Sequence, residues 1–142
     1  MNKREIISTT IVIIIGLMLL NCIIWLYNLA FPSTEVIHHL NKNIYYYLAV
    51  ISSLFFLLGI LMEWKSVLAI LSNKIEINKF LLIVSILLLF VSLIPVAKWY
   101  IWFNFNLISL GWFIDVFKNE YTRNIIPIIA GIIFIRSFAN SN

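Results

Sequence analysis

At 142 residues, 63% of them hydrophobic and 11% charged, the chain has too few charged groups to cover a water-soluble surface, which ordinarily carries about 25%. Its net charge of +4, from 10 basic and 6 acidic residues, is not gathered into the basic patch that nucleic-acid binding requires. A mean hydropathy of +1.02 makes the lipid bilayer the expected solvent.

Two closed structures satisfy every backbone group in hydrocarbon, the helix and the barrel. Barrel strands alternate apolar and polar residues. Runs such as IIIGLMLL and LLIVSILLLFV do not alternate, so the expected fold is all-α, a polytopic transmembrane helix bundle. At roughly 20 residues per span, the expectation is four spans plus a C-terminal apolar helix that is either a fifth span or re-entrant. All of residues 1–142 then belong to one integral-membrane domain. Cys22 is the single cysteine, which excludes an internal disulfide. Abundant Ile and Asn with scarce Gly and Ala point to an AT-rich bacterial genome.

The N-terminal sequence begins charged and turns apolar, as a signal peptide does. Its apolar run continues from Ile6 to Phe31 with no small-residue cleavage site, so it reads as a retained first span, 6–31. Asn21 and Asn28 lie two helical turns apart and share a face. One reading is a polar stripe for a neighbouring helix; the plainer one puts Asn28 at the interface and Asn21 in a local contact. Pro32 closes the helix by restricting Phe31. Glu35, His38 and His39 follow in a polar connection. Two adjacent histidines point apart and fall short of the converging ligands of a metal site, so a solvated loop is expected, with no metal and no cofactor.

The second span, 44–62, opens on Tyr45, Tyr46 and Tyr47, suited to an interfacial aromatic belt. Within it Ala49 and Ser53 form a small-xxx-small pair, a candidate position for close helix approach. Glu63, Trp64 and Lys65 mark the boundary, after which SVLAIL prolongs the helix along the surface. The stretch to Lys79 holds Lys65, Lys74 and Lys79. With Lys3 and Arg4 these define the cytoplasmic side, because Lys and Arg accumulate there. The expected location is a bacterial inner membrane, with a cytoplasmic N-terminus.

The third span, 80–97, carries Pro95 in its last turn. An aromatic cluster from Trp99 to Phe105 suits the opposite interface. Beyond it two readings compete. Taking 101–117 as a fourth span divides the basic residues seven to three between the sides; laying residues 99–120 outside divides them six to four. The positive-inside rule favours the span. The last apolar helix, 124–139, is about 22 Å long at 1.5 Å per residue, short for a span, and Pro127 suits its first turn. Arg136 is expected to snorkel to a headgroup or close on the tail.

Ionisable groups within spans are the best functional pointers in such a chain. Asp115, in WFIDVF, is the candidate intramembrane polar site, with Asn104 and Asn106. Metalloprotease, serine-hydrolase and phosphate-loop motifs are absent from the sequence. The expected function is therefore non-catalytic: a small multi-pass inner-membrane protein acting through helix or lipid contacts. It would be an accessory subunit of a transport or export system, or a protective protein like those conferring bacteriocin immunity. The alternative is a small oligomeric transporter or channel using Asp115 with Asn104 and Asn106. Expected partners are the lipid bilayer and either another membrane protein or further copies of the chain, with no nucleic acid.

Overall fold

The computed structural model describes residues 3–30, 44–71, 77–94 and 120–138, and all regular structure among them is helical. Helix α1 spans Lys3–Ala30, α2 Ile44–Met62, α3 Trp64–Leu71, α4 Lys79–Leu93 and α5 Glu120–Arg136. Two of them, Ile6–Ala30 of α1 and Ile44–Met62 of α2, are long and apolar enough to cross a membrane. At 1.5 Å per residue, α4 (15 residues) and α5 (17 residues) extend only about 22 and 26 Å.

Local chemistry explains the helix limits. Asn78 caps α4: its Oδ1 accepts from the backbone N–H groups of Phe80 and Leu81, at 3.1 and 3.2 Å. Two of the donors that every helix start leaves open are thereby satisfied. At the other end α4 stops at Leu93, and Ile94 is extended at φ −84° and ψ 122°. Pro95 forces this, since its ring disfavours the α region for the residue before it. The expected helix through Pro95 thus ends two residues before the proline. Between α2 and α3, Glu63 is a one-residue turn: its N–H donates to Ile60 O and its carbonyl accepts from Val67 N–H.

The last helix departs further from expectation. It starts at Glu120 rather than near Asn124, so Pro127 lies inside the helix, fully buried. A proline there removes the hydrogen bond to Arg123 O. Helices in lipid tolerate this where packed neighbours satisfy or shield the freed group.

The helices pack antiparallel in sequence order, apart from the short α3. Ser8 of α1 meets Trp64 just beyond α2, whereas Ile23 and Leu26 cluster with Ile51 near the middle of α2. Asn78 at the start of α4 donates its N–H to Ser137 O beyond the end of α5, at 2.7 Å. Farther along, Ser85 of α4 reaches Ala130 of α5. Arg136 in turn meets Glu63, so α2 and α5 run parallel. One end of the bundle therefore gathers the start of α1, the α2–α3 corner, the start of α4 and the end of α5. The end of α4 and the start of α5 lie at the opposite end; the candidate span 101–117 lies outside the described residues.

Small and hydroxyl residues share the interior with a few large apolar ones. The buried residues include Ser52, Ser85, Ser92, Ser137, Gly59, Gly131 and Ala130 beside Ile23, Leu26, Ile51 and Ile135, while many Leu, Ile, Phe and Met side chains are exposed. Each buried serine hydroxyl donates to a backbone carbonyl: Ser85 to Ala130 at 2.8 Å, Ser52 to Ser92 at 3.3 Å, Ser92 to Leu89 and Ser137 to Phe134. Against lipid, large apolar groups gain little by going inside, and small residues that let backbones approach dominate helix contacts.

Candidate functional site

Where α2 crosses α5, glycine lies against glycine. A Cβ placed on Gly59 of α2 would sit 2.1 Å from the Ile128 carbonyl oxygen of α5; one on Gly131 would sit 2.2 Å from Phe56 O. Both obstacles are backbone, so no side-chain rotation relieves them. Phe56 and Phe134 then pack edge to face beside this crossing, with centroids 5.5 Å apart. Gly59 and Gly131 are 72 residues apart in sequence, and no local spacing pairs them.

At the charged end, Glu63 is the organising group. Both Nε and Nη2 of Arg136 donate to its Oε1, at 2.9 and 2.5 Å, and Ser66 Oγ donates to its Oε2 at 3.2 Å. The Glu63 side chain is 20% exposed and that of Arg136 62%, so water screens the pair and it stabilises the fold by only about 0.2–1 kcal/mol. What the pair does is tie the end of α5 to the α2–α3 corner. Arg136 thereby has a carboxylate partner at the α2–α3 corner, which the sequence alone does not name. Alongside, Trp64 Nε1 donates to Ser8 Oγ at 2.6 Å, anchoring α1. A cleft of about 350 Å³ opens between α1 and this corner, lined by Thr9, Val12, Ile13, Leu61, Met62, Glu63, Trp64 and Lys65.

The helix-contact candidates fall elsewhere. Ser53 is exposed and its hydroxyl donates to Ala49 O within α2, at 2.9 Å. The neighbouring serine, Ser52, is the one that crosses to α4. Asn21 and Asn28 are both exposed on α1, and the Asn21 amide donates to Leu17 O at 3.2 Å. Lys65 and Lys79 are exposed at the charged end, where the first turn of α1 also brings positions 3 and 4. Lys74, Asn104, Asn106, Asp115, Glu35, His38 and His39 lie outside the described residues. Among the described residues, no three His, Cys, Asp or Glu side chains converge on a point that would hold a metal ion.

Serine hydroxyls, glycines and the Glu63–Arg136 pair join one helix to another. Their chemistry is assembly and anchoring, with a small amphiphilic cleft between α1 and the α2–α3 corner. No protein-family model, curated protein or solved structure matches the chain.

Proposed function

We propose that the chain is a small multi-pass protein of a bacterial inner membrane that works without catalysis, through helix and lipid contacts. In this reading it is an accessory subunit of a transport or export system, or a protective protein of the membrane. The observation that carries the proposal is the position of α1. Only 6% of its most apolar 18-residue stretch is buried in the fold, so the side of this 28-residue helix away from α2 is left for the bilayer or a membrane partner.

The antiparallel packing supports a topology in which α1, α2, α4 and α5 each cross once. The N-terminus, Lys65, Lys79 and Arg136 then share one side, with Arg123 on the other. Counting each connection with the helix ends it joins, the basic residues divide six to four, which supports a cytoplasmic N-terminus. The lesser charge bias of this topology is offset by the serine and backbone bonds that align α4 and α5. Short spans of about 22 and 26 Å are accommodated by local bilayer thinning.

The test is purification from the native membrane in mild detergent, with mass spectrometry of what accompanies the chain. A stoichiometric membrane protein is the expected result. Recovery without any other membrane protein would sink the accessory-subunit reading.

A further inference from the structure

Helix α1 carries two stripes, both with alternating steps of three and four residues. The inner stripe is Val12, Gly16, Leu19, Ile23, Leu26 and Ala30, part-buried or buried. It packs on α2 through Ile23 and Leu26, which meet Ile51. The outer stripe is Thr10, Ile14, Leu17, Asn21, Ile24 and Asn28, every member exposed. Displaced by two positions, about 200° of helical turn, it lies on the side of α1 away from α2.

From these observations we infer that the outer stripe of α1 is the contact surface for α1 of a second copy of the chain. This rests on the reading of α1 as a membrane span.

The composition of the stripe selects that occupant. An asparagine amide has two N–H donors and an acceptor oxygen; Asn21 spends one donor on Leu17 O, within its own helix. Exposed to hydrocarbon, the remaining groups are costly to leave unpaired. Copies of one protein insert in the same orientation, so two α1 helices meet parallel and equivalent positions face each other across a two-fold axis. Asn21 then meets Asn21 and Asn28 meets Asn28, each amide offering the donor and acceptor that its mate lacks. Leu17 and Ile24 pack between them. In heptad terms Asn21 and Asn28 occupy a positions, with Leu17 and Ile24 at d, an arrangement in which a polar a residue fixes register. The contact leaves the α2 side of α1 untouched, so the packing of α1 on α2 and the dimer coexist.

Disulfide trapping in native membranes tests this, using the full-length chain with Cys22→Ala. Two single-cysteine variants are compared: Ile24→Cys on the outer stripe and Ile23→Cys on the inner one. With mild oxidant, Ile24→Cys should give a covalent dimer, because facing d positions lie within the 4.4–6.8 Å Cα separation a disulfide spans. Ile23→Cys, covered by α2, should remain monomeric. Adding Asn21→Leu to Ile24→Cys should lower the trapped fraction about ten-fold, the scale of an interhelical amide bond. Equal trapping at 23 and 24, no trapping at 24, or no effect of Asn21→Leu would each overturn the dimer. Carbonate-washed membranes keep the two readings apart. A chain that stays in the pellet but does not cross-link refutes the dimer alone; one that washes off refutes the membrane span and the dimer together.

Discussion

Two parts of this molecule are held together by different means. Helices α2, α4 and α5 meet backbone to backbone, through Gly59, Gly131 and serine hydroxyls on carbonyls. Helix α1 meets α2 through large side chains: Ile23, Leu26 and Ile51, with Tyr27, Tyr47, Val50, Leu54 and Phe55 packed around them. In lipid the first kind of contact is the stronger, because close approach multiplies dispersion contacts and hydroxyl bonds have no water to compete with. The second has no hydrophobic drive once both states are in hydrocarbon. The three-helix unit is therefore expected to be the stable one, with α1 as an attached element that can exchange neighbours.

Adding bulk at the glycine crossing is the sharpest way to break this comparison. Gly59→Leu or Gly131→Leu must push two backbones apart, and the expected cost is about 3 kcal/mol or more, beyond ordinary overpacking. Denaturation in mixed micelles should show it as a large fall in the midpoint. Gly16→Leu on α1, where an added Cβ meets nothing within 4 Å, should stay within about 0.5 kcal/mol. Equal losses at Gly16 and Gly59 would remove the distinction between the two regions.

The hydroxyl bonds come next. Ser85→Ala loses the bond to Ala130 O at a fully buried site, for about 1 kcal/mol. Ser52→Ala, with its longer bond, should cost less, and Ser53→Ala on the exposed face less still. The same unfolding measurement ranks them.

A cavity under α1 should act locally. Ile23→Ala is expected to cost about 1 kcal/mol, less than in a water-soluble core because the transfer contribution is missing. Hydrogen exchange in detergent should then rise in α1 while α5 is unchanged. Exchange rising equally in both would make the bundle one cooperative unit.

The smallest effect is expected at Glu63→Gln. The Arg136 pair is largely solvent-screened, so the loss should stay below about 1 kcal/mol and shrink in high salt. A double-mutant cycle with Arg136→Gln isolates the pairing from the separate bond to Ser66.

Much of the local structure was legible in the chain itself. The helix 44–62 follows from an unbroken apolar run that ends at Glu63. The pre-proline rule, not applied at Pro95, accounts for the extended Ile94 that ends α4. The glycine crossing was not legible, because small residues seven apart or adjacent occur in every span and only the partner's backbone tells which are used. Ala49 and Ser53 had the expected spacing, yet the serine one position earlier faces α4. That difference is about 100° of rotation, which periodicity cannot supply when all faces are apolar. For a related reason, a count of charges between helices does not reveal that the Arg136 guanidinium meets the Glu63 carboxylate at the α2–α3 corner.

Composition and run length alone determined that the described residues are helical and that two of the helices are long and apolar enough to cross a membrane, since both depend only on transfer energies summed along the sequence. The tertiary structure alone decided which small residues touch, that α4 and α5 run antiparallel, and that Glu63 and Arg136 share an end. Those outcomes depend on contacts between residues tens of positions apart, where hydrogen-bond geometry and backbone approach choose among rotations and directions that hydrophobicity leaves equal.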